Sequence, residues 1–181
     1  MAQTDRLFRY FGFQPDDYAG KTVVDVGAGS MLRTKFFRDA RLVVVEPLAD
    51  RFLAEIKTTD LRDADEVHSR PAEQLVESLV GTADLVMSIN VLDHCYDFEK
   101  IARNIGLYVK PDGVAFLSFD MHAEADEMHP LSLTEETCTP LFANAGLSIE
   151  KLTTGVGDSL GGPQTYGHGP YTLNYWLRPA L

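Results

Sequence analysis

The 181-residue chain holds only two cysteines, Cys95 and Cys138, and only 16 basic residues against 27 acidic ones. Two cysteines exclude a disulfide framework and fit a reducing compartment. A formal net charge of −11 repels phosphate backbones and anionic lipid, so neither nucleic acid nor a membrane is an expected partner. No apolar run approaches the roughly 20 residues needed to span a bilayer. The opening residues, MAQTDRLFRYFGF, lack the apolar region and small-residue cleavage site of a signal peptide. These absences lead us to expect a cytoplasmic protein. Internal repeats and low-complexity segments are missing as well.

What the chain does have is apolar content. Hydrophobic residues make up 45% and charged residues 24%, enough for one buried core. We expect a single domain over residues 1–181, with 1–20 as a helical cap segment. TDRLFRYFGF spaces Leu7, Phe8 and Phe11 on one helical face, with Thr4 as its cap. KTVVDVGAG reads as a buried parallel strand. SMLRTKFFRDA reads as a helix capped by Ser30, and PAEQLVESLV as a helix with Pro71 in its first turn. RLVVVEP and ADLVMSIN read as further buried strands, EVHSR as a weak one. LADRFLAEIKTT, DFEKIARNIGLYV and LTEETCTPLFANAG have helical spacing, although Pro140 threatens the last. PDGVAFLSFD begins as a turn and becomes a strand. LSIEKLTTG and YTLNYWLRP are two final strands with no helix between them.

Alternating strands and helices predict an α/β, Rossmann-like, doubly wound sheet of seven mostly parallel strands. The last strand pair predicts an antiparallel hairpin at one edge. Ligands of such sheets bind beyond the carboxyl ends of the strands, so those residues are the ones to weigh. The first strand ends in Asp25, Gly27 and Gly29 within VVDVGAGSM. Glycines let a ligand approach the backbone closely, but this pattern also marks an ordinary tight turn. The second strand ends in Glu46, at the spacing of an acid that receives ribose hydroxyls. The pair points to an adenosine-type ligand. A pyrophosphate calls for a further glycine, and Leu32 stands in that place. Asp25 before the turn repels phosphates and suits a ligand carrying an ammonium and a sulfonium.

With those residues in view, the chain resembles the class I S-adenosylmethionine-dependent methyltransferases over roughly residues 20–150. VVDVGAG is similar to that family's glycine-rich first motif, and VVVEP to its ribose-binding acid. RPAEQL resembles the segment that packs on adenine, ADLVMSINVLDH the fourth-strand motif, and LYVKPDGVAFLSF the helix, turn and strand that follow. The resemblance implies S-adenosyl-L-methionine as cofactor, with S-adenosyl-L-homocysteine as product. It implies that Asp25, Gly27 and Gly29 hold the methionine half and Glu46 the ribose. Ala72 and Glu73 would border adenine, and Asn90 would touch the methionyl part. Met31 stands where the family often has a third glycine and would pack on the cofactor. Pro71 stands where the family often has an acid.

Methyl transfer from a sulfonium is an in-line displacement, so positioning does much of the work and a base is optional. Three loops offer acceptor-side groups. NVLDHCYD holds His94, a candidate base, and Cys95, for which direct transfer has no need. DMHAEADEMHP holds His122, a second candidate base, and His129, a candidate acceptor contact. Its acids read as a solvated loop, and no metal is expected. The Gly-rich segment 155–170 connects the last two strands and should emerge on the cofactor edge, with Tyr166 and His168 over the acceptor. Aromatics of LFRYFGF would enclose the acceptor or face a second subunit in a homodimer. The expected function is methyl transfer to a small-molecule acceptor. A non-catalytic regulatory protein of the same fold stays open, as does, less favoured, a nicotinamide-dependent oxidoreductase.

Overall fold

The computed structural model describes residues 2–121, 124–155 and 172–180. In chain order the helices are α1 (Ala2–Tyr10), α2 (Ala49–Glu55), α3 (Phe98–Tyr108) and α4 (Glu135–Asn144). The strands are β1 (Thr22–Val26), β2 (Arg41–Val45), β3 (Glu66–His68), β4 (Ala83–Ile89), β5 (Val109–Asp120), β6 (Leu147–Gly155) and β7 (Thr172–Pro179). They form one sheet in the order β3-β2-β1-β4-β5-β7-β6. β7 runs antiparallel to both neighbours, and the ladders from β3 through β5 are parallel. The expected doubly wound sheet with an antiparallel β7 is what the chain forms.

Both faces of the sheet are covered, which explains the unbroken apolar runs. Val24, Val26, Val43, Val45 and Val86 face a core shared with Phe98, Ile101, Ile105 and Phe142 of α3 and α4. Val23, Leu42, Val44, Leu85 and Met87 face the other core, with Leu7, Phe8, Phe11, Phe36 and Phe37. The period-2 alternation thus splits one valine-rich strand between two cores. The aromatics of LFRYFGF go mostly inward. Phe8 packs 4.9 Å from Phe36, and Phe11 packs 4.7 Å from Phe116. Of that segment's aromatics only Tyr10 stays in solvent, at 73% exposure, so the other rings build core rather than an open face.

Four local expectations are corrected. α1 already includes Thr4, which is therefore not its cap. After β1 there is no α-helix, only a 3-10 turn at Arg33–Phe36 led by Leu32 in a left-handed conformation (φ 33°). The Ser30 carbonyl accepts from Asp60 N–H and from Thr59 Oγ1 across the molecule, instead of starting a helix. Residues 71–80 likewise form turns and a short 3-10 piece, Glu77–Leu79. A helix there would join Val76 N–H to the Ala72 carbonyl. Instead Val76 N–H donates to Tyr108 Oη at 2.9 Å, and Ala72 O accepts from Asn104 Nδ2 at 2.8 Å. Two side chains of α3 have taken both halves of that bond. The turn expected at PDG is absorbed into β5 as an irregularity, where Ala83 pairs with Val109 but Leu85 with Val114. Pro140, by contrast, sits inside an intact α4. The carbonyl it leaves without a helical donor belongs to Glu136, which is exposed to water.

Among the described residues no helix is long and apolar enough to cross a membrane. Sheet order reverses between β1 and β4, and the carboxyl ends of those two strands frame the place where open sheets of this type bind ligands.

Candidate active site

β1 delivers the turn. Its last residue is Val26, after which Gly27 adopts φ 77° and Gly29 φ 61°. Glycine is required at 27 for two reasons. The positive φ disfavours any side chain, and a Cβ there would lie 2.5 Å from both methyl carbons of Val91. Gly29 has open space beside it, so only its φ constrains the residue. Val91 follows Asn90, which ends β4 in a left-handed conformation (φ 57°) with its N–H donating to Ser118 O at 2.8 Å. The β1 turn and the β4 end are thereby packed against each other at the switch point.

β2 delivers the acid. Glu46 is 6% exposed, and both its oxygens face backbone donors. Oε2 accepts from Gly29 N–H at 3.0 Å and Oε1 from Leu48 N–H at 3.0 Å. A carboxylate offers about four lone-pair sites, so two remain for hydroxyls. Asp25 sits on β1 below the turn, also 6% exposed, with Oδ2 accepting from Thr34 Oγ1 at 2.7 Å. Burial pushes its carboxyl up to about 6 despite that bond. Ala72 and Glu73 lie in the turn after β3, half-buried, with Ala72 pinned to α3 through Asn104. Met31 is 51% exposed and lines a groove with Thr4, Asp5 and Arg9, on the α1 side of the turn. The cleft at Asp25 is walled by Gly27, Ala28, Arg33, Met87 and Ile89, and Arg33 lines the Met31 groove as well.

Two loops meet beyond β4 and bring together the histidines that the sequence offers as acceptor-side groups. A 3-10 turn at Leu92–His94 follows β4 and places His94 at the surface. Its Nδ1 lies 3.0 Å from Met128 O, a bond that sets the ring's tautomer with Nδ1–H as donor. His129 stacks beside it, ring centroids 4.8 Å apart at 32°. His129 Nδ1 lies 3.1 Å from Asp126 Oδ1, which also accepts from the N–H groups of Met128 and His129. The imidazole and those two N–H groups hold the Asp126 carboxyl down to about 2. Buried Asp93 completes the group, its Oδ2 3.8 Å from His94 Nε2. Ligand atoms of Asp93, His94 and His129 lie within 4.8 Å of one another, a set able to relay a proton or to take a divalent cation. Cys95 is buried and its thiol is pushed up to about 12 by burial, so it is no nucleophile at neutral pH.

The structure brings Asp25, Gly27, Gly29 and Glu46 to one rim of the sheet, with Asn90 across the switch point. It brings His94 to His129. His122, Tyr166 and His168 lie outside the described residues. Gly155 and Thr172 pair with each other at the ends of β6 and β7, and Thr172 also pairs with Asp120 at the end of β5. Sequence reasoning missed Arg33, Thr34 and Val91. Arg33 and Thr34 were hidden by the expected helix, which assigned them no position relative to Asp25. A basic residue four places after Gly29 was the available signal.

The strand order and the turn–acid pair define a class first: a Rossmann-like fold with methyltransferase topology. A model of the family described as methyltransferase domain matches residues 3–151, and the chain belongs to that family. It is 32% identical to a ubiquinone biosynthesis O-methyltransferase of Pseudomonas paraeruginosa over 106 residues, 55% of this chain and 44% of that protein. The chain spans less than half the length of the curated relatives it matches. Among solved structures it is similar to 1,6-didemethyltoxoflavin-N1-methyltransferase of Burkholderia thailandensis, whose structure contains S-adenosylhomocysteine. That likeness has TM-score 0.69, 16% identity, and covers 99% of this chain and 77% of that one. An S-adenosylmethionine-dependent methyltransferase of Clostridium acetobutylicum gives TM-score 0.72, 10% identity, and coverage of 99% and 92%.

Proposed function

We propose that the chain transfers a methyl group from S-adenosylmethionine to a hydroxyl of a small organic acceptor. The observation that carries the reading is the Glu46 carboxylate at the end of β2 accepting from Gly29 N–H in the turn after β1, with buried Asp25 beneath the same turn. The residues fit the group by their chemistry. Glu46 has acceptor sites left for two ribose hydroxyls, Gly29 has open space beside it for close approach, and an anionic Asp25 favours an ammonium. The segment at Ala72 and Glu73 would border adenine, and Asn90 the methionyl part.

When bound, the cofactor supplies a methyl group on a sulfonium leaving group. The chain's own part is to position and to move one proton. Glu46, Asp25 and the Gly27–Gly29 turn would hold the sulfonium so that it gives up its methyl group in line to the acceptor oxygen and leaves as a neutral thioether. The hydroxyl proton passes to His94 Nε2, whose ring is oriented by Met128 O. His129, held by Asp126, lines the acceptor beside it. The net charge of −11 supports a small molecule over nucleic acid, and two buried free cysteines support a reducing, cytoplasmic setting. The names of the curated relatives support oxygen as the acceptor atom.

Calorimetry and a methyl-transfer screen test this. S-adenosylhomocysteine should bind, NAD should not, and a panel of phenols and alcohols should yield S-adenosylhomocysteine from S-adenosylmethionine. Binding without turnover on any acceptor supports a regulatory protein of this fold. No binding of the nucleoside refutes the cofactor reading.

A further inference from the structure

We propose that Arg33 receives the α-carboxylate of the cofactor's amino-acid half, opposite Asp25, which takes the ammonium side. The inference rests on the cofactor reading above and concerns a residue that no motif assigns.

Arg33 opens the 3-10 turn after the glycines and lines the cleft walled by Asp25, Gly27, Ala28, Met87 and Ile89, between it and the Met31 groove. Its Nη1 is buried and has no hydrogen-bond partner among the described residues. Among the described residues Nη2 reaches only the Met31 sulfur, at 4.0 Å, a weak acceptor. A guanidinium keeps its proton at all working pH values, so the charge cannot be shed. A buried cationic N–H without an acceptor is costly. The nearby anion does not relieve it. Asp25 spends its Oδ2 on Thr34, and the guanidinium lowers the Asp25 carboxyl less than burial raises it. The cleft therefore holds one cation and one anion that do not neutralise each other. A free amino acid group is the ligand complementary to both, because its carboxylate and ammonium share one carbon. A charge-assisted bond from Nη1 to that carboxylate gives the stranded donor its acceptor. A pyrophosphate would satisfy Arg33 and be repelled by Asp25.

The test compares two nucleosides on three proteins. S-adenosylhomocysteine carries the amino acid group, and 5′-methylthioadenosine lacks it. Calorimetry is run on the unaltered chain, Arg33→Ala and Arg33→Lys. Arg33→Ala should weaken S-adenosylhomocysteine about tenfold or more, the usual cost of one charged hydrogen bond, and leave methylthioadenosine within about twofold. Arg33→Lys should recover part of the loss. Equal weakening of both nucleosides, or no change in either, overturns the proposal. Arg33→Met keeps the apolar stem and carries the same comparison if the alanine variant does not fold. An unaltered chain that binds neither nucleoside overturns the parent cofactor reading, and the missing heat in that sample tells the two failures apart.

Discussion

Gly29 and Glu46 meet through a backbone donor 17 residues apart in sequence, whereas His94 meets Met128 across 34 residues and two loops. The first rim is built from strand ends, glycine conformations and N–H groups. The second is built from side chains, held in part by the Met128 carbonyl and the N–H groups of Met128 and His129. A rim of backbone tolerates little change in shape but much in surface chemistry. A rim of side chains does the reverse. In the function proposed above, the first rim would hold the adenosine-type ligand and the second would tell one acceptor from another.

Substitutions should separate the two rims. The largest effect belongs to Gly27→Ala. A left-handed residue whose Cβ meets Val91 at 2.5 Å should cost about 2–5 kcal/mol, read as a shift in denaturant midpoint. Gly29→Ala, with open space beside it, should cost only about 1–2 kcal/mol. Equal losses at the two positions would show that φ alone, and not the Val91 contact, sets the demand.

Next come the two histidines. His94→Gln should lower kcat by about a hundredfold or more, the lower end for a general base, with S-adenosylhomocysteine affinity unchanged. Asp126→Asn should raise KM more than it lowers kcat, since Asp126 acts through His129. A loss of cofactor affinity in either variant would mean that the rims are not independent.

Glu46→Ala should weaken cofactor binding by about 1–3 kcal/mol, from hydroxyls left without acceptors. Asp25→Asn should act in two directions. The Asp25 carboxyl is raised to about 6 in the folded chain, above the value of 3.8 that it has when exposed. The folded state therefore binds more protons between pH 4 and 6, and this residue's contribution to stability is lost as pH rises through that window. At neutral pH Asp25→Asn should stabilise the ligand-free chain by about 1–2 kcal/mol, the order expected for removing an ionised buried acid. The same variant should lose cofactor affinity. In the unaltered chain cofactor affinity should fall as pH drops below about 6, as Asp25 protonates. The smallest effect is the last. With Asp93, His94 and His129 acting as a proton relay, EDTA should leave turnover unchanged. Loss of turnover restored by a divalent cation would reassign those three residues as metal ligands.

Much of the first rim was legible in the sequence. VVDV and LVVV could be nothing but strands buried on both faces, and a glycine turn followed by an acid at a strand end states its own chemistry. The helices expected at 30–40 and 71–80 were misread because their spacing is helical and their partners are remote. Thr34 bonds to Asp25, and Tyr108 and Asn104 of α3 claim the backbone of 72–76. Arg33 was lost inside the first of those errors.

By itself the sequence determined the seven-stranded sheet, its antiparallel last strand, and the glycine turn and acid that sit at neighbouring strand ends. These depend on hydrophobic periodicity and on glycine conformations, which are properties of neighbouring residues. Only the tertiary structure decided that Arg33 lines the Asp25 cleft, that Met31 lines the α1 groove, and that His94 stacks on His129. Each of those placements is won by a contact between segments distant in sequence, where local propensity is weaker than one buried bond.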